Sequence, residues 1–225
     1  MQETGSKIIS VQVSLKGFSI NNGCARSGWL GADRIFTLEE LQQRYDEVDI
    51  SIFSPKFALV PEAFYSDEKA ASLLAETVTL SEDDEVQSVP LPEFGARALY
   101  SVSGCGNVCR VIRSTVLRRD GSAGNLFPEQ YYLLKSLATI PDYNKIAASY
   151  ADGYLFLAVG QGRSLLLCNA FKADDFTTAE YFIFTVMRRF QLNPEVSSIW
   201  FRTPLGSEEE ISLSAYFKSV EAIRL

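Results

Sequence analysis

YNKIAASYADGYLFLAVGQGRSLLLCNAF, residues 143–171, decides the architecture of this chain. Its spacing predicts three consecutive strands, Asn144–Tyr150, Tyr154–Val159 and Arg163–Phe171. Asp152-Gly153 separates the first two and Gly160-Gln161-Gly162 the second pair, and both turns offer residues that tolerate the positive φ of a tight hairpin. Tyr, Leu, Phe and Val dominate the strands, as a pleated and partly buried surface requires.

Beyond Phe171 the apolar period changes from that of a strand to that of a helix. Thr177-Thr178-Ala179-Glu180 predicts a capping box, with Phe176 and Tyr181 placed for a hydrophobic staple, and Asn193-Pro194 marks the end. Tyr181, Phe182, Ile183, Phe184, Val186, Met187 and Phe190 leave only a narrow polar stripe, so this helix is expected to be buried nearly all round. On that reading Phe184→Ala would cost about 3–5 kcal/mol. Val196–Thr203 follows as a strand and Thr203–Gly206 as a loop. Ser207-Glu208-Glu209-Glu210 is a second predicted capping box, its helix carries Leu213, Tyr216, Phe217 and Val220 on one face, and Ala222–Leu225 closes the chain as a strand. A meander followed by helix–strand alternation is the pattern of a ribonuclease-H-like layer, with right-handed crossovers between parallel strands.

The first part of the chain repeats this coarsely. Lys7–Val13 and Gly17–Ile20 predict a hairpin closed at Ser14-Leu15-Lys16, Asn21–Arg34 a loop, and Thr37-Leu38-Glu39-Glu40 the start of a helix reaching about Tyr45. Val48–Ser54 predicts a strand, Phe57–Pro61 extended chain and Asp67–Ala75 a short helix. Glu76–Pro92 is acidic, and its Glu82-Asp83-Asp84-Glu85 run reads as a solvated turn. Ala96–Val102 is a strand, Val108–Thr115 a helix with Arg110 and Arg113 toward solvent, Gly121–Asn125 a loop and Gln130–Ile140 a helix. Two such halves, 1–138 and 139–225, give an α/β chain of two mixed-sheet subdomains with flanking helices, a duplicated ribonuclease-H-like arrangement of the actin-like type.

Composition sets the outer limits. The chain has 225 residues, 47% of them hydrophobic, and a formal charge of −7, the wrong sign for general nucleic-acid binding. No apolar run reaches the roughly 18–20 residues of a membrane helix, and Met1–Ser6 carries no basic-then-apolar leader, so a cytoplasmic location without membrane insertion is expected. Histidine is absent, which removes Ser-His and Cys-His nucleophilic sites. Cys24, Cys105, Cys109 and Cys168 are scattered, so no metal site is expected and the four read as small apolar residues in a reducing compartment.

The meander, DFTTAEYFIFTVMRRFQLNPE (175–195) and FRTPLGSEEE (201–210) resemble an uncharacterised bacterial family of the Bacteroides group whose fold is similar to that of actin-like ATPases. YDEVDISIFSPKFALVPEAFY (45–65) extends the resemblance more thinly toward the first hairpin. The resemblance implies a cleft where two hairpins, each usually bearing an aspartate, would hold nucleotide phosphates and magnesium-bound water. It places Ser14, Lys16 and Gly17 on one side, Asp152 and Gly153 on the other, and Thr203 and Gly206 where such proteins grip adenosine. The first hairpin has no acid, so hydrolysis is not expected and no catalytic residue is assigned. The implied role is a binding or scaffold module with a degenerate nucleotide cleft, no cofactor, and an unidentified protein partner or a second copy of itself. The alternative is an ATP-binding protein or slow ATPase that uses the cleft with ATP and magnesium. A two-metal nuclease is disfavoured, because Asn144–Tyr150 carries no carboxylate and Val196–Thr203 ends in Arg202-Thr203.

Overall fold

The computed structural model describes residues 6–103 and 106–223. Ile8–Ser14 (β1) and Gly17–Asn21 (β2) form the first hairpin, with Val11 opposite Ile20. Gly17 is required there because a Cβ would meet the Leu30 carbonyl at 2.0 Å. The chain then crosses through short 3-10 turns, Ala32–Arg34 and Glu39–Gln42, not through the expected helix. Arg44–Tyr45 (β3) leads into Glu47–Ile52 (β4), which runs parallel to β1 with Val11 beside Ile50.

An insertion follows. Phe57–Pro61 (β5), a helix at Ala70–Ala75 (α1), Val86–Leu91 (β6) and Ala96–Ser101 (β7) make an antiparallel three-stranded sheet in the order β5-β7-β6. Pro90 obscures β6 in the sequence, and it is tolerated because β6 is an edge strand. Gly106–Thr115 (α2) and Leu117–Arg118 (β8, paired with β3) return the chain to Asn125–Pro128 (β9), parallel to β4. The segment expected as loop up to Asn125 thus ends in a strand.

Glu129–Leu137 (α3) connects to the second sheet. Its strands are Asn144–Ala151 (β10), Tyr154–Gln161 (β11) and Ser164–Lys172 (β12), then Phe176–Arg189 (α4), Ser198–Phe201 (β13), Ser207–Ser214 (α5) and Ser219–Ala222 (β14). The expected last strand begins three residues earlier than predicted, and Arg224 and Leu225 lie outside the described residues. The orders β2-β1-β4-β9 and β12-β11-β10-β13-β14 show the same plan in both sheets: an antiparallel hairpin whose first strand is joined by two successive parallel strands. The second sheet adds β12.

Strands β10 and β11 are buried on both faces, which explains their nearly continuous apolar sequence. Ala147, Phe156 and Ala158 join Leu133, Leu134 and Leu137 of α3 and Ile9 and Ile50 of the first sheet in one core. Ile146, Leu155 and Leu157 face the other way, toward Ile183 and Met187 of α4 and Leu213 of α5. The helix α3 is therefore the wedge between the two sheets.

Several local expectations are corrected. Asp175, not Thr177, caps α4, accepting from Thr178 N at 2.7 Å. Glu180 does not reach back, and its Oε1 is buried with no hydrogen-bond partner among the described residues. The helix ends at Arg189, before Asn193-Pro194. Gln191 takes a left-handed φ of 55°, and Leu192 N bonds Met187 O at 2.8 Å, a Schellman closure. Only Ala179, Ile183, Val186 and Met187 of α4 are buried, while Phe184 is half-buried against Phe217 and Tyr216 and Tyr181 is exposed. The second capping device starts at Gly206, whose N–H donates to Glu209 Oε2 at 2.7 Å. Of the cysteines, Cys24 is exposed, Cys168 half-buried and Cys109 disulfide-bonded, where four small apolar residues in a reducing compartment were expected; Cys105 lies outside the described residues. No described helix is long and apolar enough to cross a membrane.

Candidate functional site

The two hairpin tips meet. Asp152 and Gly153 both adopt positive φ, 54° and 75°, the conformation of a type I′ turn, and this presents the Asp152 side chain beyond the end of β10. Its Oδ1 accepts from Ser14 Oγ at 2.8 Å, and the Leu15 N–H points at both carboxylate oxygens, at 3.0 and 3.2 Å. Ser14 Oγ in turn accepts from Lys16 N at 3.0 Å. A carboxylate from one half thus caps the turn of the other, 138 residues away in sequence. Charge-assisted bonds to a backbone N–H and a hydroxyl are among the stronger hydrogen bonds available.

Across the two tips, Ser14 and the Leu15 N–H meet Asp152, while Lys16 is tied to Ser14 within its own turn. Thr203 and Gly206 make bonds of their own. Thr203 is fully buried, its Oγ1 accepting from Tyr150 N at 2.9 Å, and the Gly206 N–H is taken by Glu209. Neither lines the cavity that borders Ser14 and Asp152.

Beneath the tips lies a charged network that local patterning does not reveal. Glu129, at the first turn of α3, is fully buried and accepts from Gln12 Nε2 at 2.8 Å, from the Ser149 hydroxyl and from Arg202 Nη1. Arg202, just past β13 and 7% exposed, also donates to Ser10 Oγ at 2.7 Å and Ser51 Oγ at 3.0 Å, with its guanidinium 4.4 Å from the Tyr132 ring centre. Arg26 completes the set by donating to the Phe201 and Arg202 carbonyls. Burial, and then the neighbouring Arg202, hold the Arg26 guanidinium below its ordinary pKa, with Glu129 offsetting part of the shift. The network joins β1, β4 and α3 to β10 and the end of β13. Movement of one sheet against the other would have to break it.

A cavity of about 340 Å³ opens beside the tips, between the first hairpin, the segment after β4 and the inserted sheet. Its polar wall is centred on Asp84, expected in a solvated turn but only 3% exposed at its side chain. Asp84 pairs with Lys56 and accepts from Ser101 Oγ at 2.5 Å, Ser81 N at 2.6 Å and Ser81 Oγ at 2.9 Å. The bond from Lys56, followed by those from Ser101 and Ser81, holds its carboxyl well below the usual carboxylate range. A folded pKa below the unfolded one means that this contribution to stability is complete above the unfolded value and lost as pH falls toward the folded one. Wild-type urea midpoints should therefore drop more steeply between about pH 5 and pH 2 than those of Asp84→Asn, because the unfolded carboxylate titrates near 4. Parallel slopes for the two proteins would remove Asp84 from the acid response.

Residues 32–220 match the model of a family described as protein of unknown function (DUF3822). No curated protein sequence matches the chain. Among solved structures, the chain is similar to a Bacteroides thetaiotaomicron protein with actin-like ATPase fold and unknown function, at 17% identity and a TM-score of 0.63, covering 99% of this chain and 93% of that one. It is similar to a chain of the PilM-PilN type IV pilus biogenesis complex at 15% identity and a TM-score of 0.53, over 96% and 88% of the two chains. The cytoplasmic domain of EpsL, an inner membrane component of the type II secretion system of Vibrio cholerae, matches at 12% identity and a TM-score of 0.50, over 90% and 84%. These likenesses show the fold, an actin-like ATPase fold.

Proposed function

The chain belongs to the DUF3822 family, and on that premise we propose that it is a cytoplasmic, non-catalytic binding or scaffold module that acts through a protein partner. The observation that carries this reading is the direct bond between the hairpins. Asp152 is the acid that the resemblance assigns to hydrated magnesium, and its oxygens are engaged by Ser14 and Leu15. Phosphates seated between the tips would have to displace those bonds. Magnesium there would meet a single carboxylate whose oxygens are already bonded to Ser14 and Leu15, so hydrated magnesium would have to compete with those donors for Asp152. Neither a second aspartate at the first hairpin nor any histidine is available to align an attacking water. The structural neighbours include a two-protein pilus complex and a secretion-system component, which supports a role in protein assembly.

The test is calorimetric titration with ATP, with and without magnesium, alongside a phosphate-release assay. The expected result is no turnover above background, with any ATP binding weak and indifferent to magnesium. Asp152→Asn should fold nearly as the wild type does, since asparagine also tolerates the left-handed turn. Magnesium-dependent hydrolysis that disappears in Asp152→Asn would establish a slow ATPase instead.

A further inference from the structure

We propose that the cavity beside the hairpin tips seats a short extended segment of a partner protein, an apolar anchor residue flanked by Lys or Arg. The inference rests on the binding-module reading and names its surface and the chemistry of its partner. The apolar side of the cavity comes from Val13, Leu15, Ile52, Phe53 and Tyr154. Leu15 stands at the hairpin tip with 72% of its surface exposed, a position where a polar turn residue would serve the hairpin equally well. Phe53 is half-buried, with its inner side against Phe156 at 5.4 Å between ring centres. At about 340 Å³ the cavity falls within the range of pockets that bury a compact apolar group.

The polar side selects against an anionic occupant. Lys56 has three N–H donors, and the one pairing with Asp84 leaves two for a ligand oxygen. Asp84 and Asp152 both belong to the wall, so a phosphate or carboxylate would face two negative charges with Lys56 alone in the wall to offset them. A neutral carbonyl, such as a peptide group, fits those donors without that repulsion. Glu82, Asp83 and Glu85 are exposed and flank Asp84 in the chain, so the acidic wall continues into an acidic surface segment. Two carboxylates against one lysine in the wall, with three more acids next to Asp84 in sequence, favour basic residues on either side of the anchor and speed their encounter.

The test uses the full chain and a fluorescein-labelled peptide amide, Arg-Arg-Leu-Phe-Arg-Arg, read by fluorescence anisotropy. A second peptide carries Gly-Ser in place of Leu-Phe, and a third carries Glu in place of Arg. The first should bind at least about tenfold more tightly than either control, a gap of roughly 1.4 kcal/mol. Leu15→Glu, and separately the pair Glu82→Lys with Asp83→Lys, should each weaken it by a similar factor. All three positions are exposed, so melting curves should match the wild type. Equal binding of the Gly-Ser peptide would reduce the effect to charge alone and overturn the proposal. So would unchanged binding by Leu15→Glu, or no saturable binding up to about 1 mM peptide. Failure of the module reading would appear separately, as magnesium-dependent phosphate release.

Discussion

Arg202→Ala is expected to destabilise the protein by about 3–5 kcal/mol, the cost of leaving a buried partner charge uncompensated. Glu129 is fully buried, and without Arg202 its remaining donors are the Gln12 amide and the Ser149 hydroxyl. Ser10 and Ser51 would lose their guanidinium partner in the same step, and the Tyr132 ring would lose the cation above it. Urea unfolding at neutral pH measures the loss. A double variant, Arg202→Met with Glu129→Leu, separates the cost of the orphaned charge from the worth of the pair, since apolar replacement of a whole buried pair is often neutral or stabilising. If Arg202→Ala unfolds at the wild-type midpoint, the pair is not a strut between the sheets. If the double variant is as unstable as the single one, packing at this point outweighs charge.

Phe156→Ala is expected to cost about 3–5 kcal/mol, as removal of a fully buried aromatic ring does. Phe156 lies in the core shared by both sheets and α3, with Phe53 and Tyr154 around its ring. Phe184→Ala, which the apolar circumference of its helix marks as equally severe, should cost only about 1–2 kcal/mol because its ring is half-buried to begin with. Thermal and urea unfolding of the two variants side by side would check the ordering. A Phe184 variant as unstable as the Phe156 variant would mean that this face of α4 is more fully packed than its exposure shows.

The difference between those two phenylalanines marks where sequence reading stops. The meander was legible to within one or two residues because period-two apolar strands and an Asp-Gly turn are local features, and the positive φ at Asp152 and Gly153 follows from them. The duplicated plan was legible for the same reason. The strand β6 was masked by Pro90, whose missing N–H matters only if the strand is central, and position in a sheet is not a local property. The helix expected from Thr37 became 3-10 turns: no side chain caps Glu39–Gln42, and a segment this short cannot sustain an α-helix by propensity alone.

The candidate site divides along the same line. The sequence by itself determined that Asp152 would stand at a hairpin tip and that the first hairpin would lack an acid. Only the tertiary structure decided that Asp152 bonds Ser14 and Leu15, that Arg202 and Glu129 are buried as a pair, and that Asp84 leaves solvent to join Lys56. Each is a charged residue that local patterning assigns to the surface, because burying a charge is unfavourable unless a partner arrives to compensate it. Those partners come from 28 to 138 residues away, Lys56 for Asp84 at the near end and Ser14 for Asp152 at the far end. The period of side chains along a strand or helix records which face is apolar, and it carries no information about which distant group will meet a buried carboxylate.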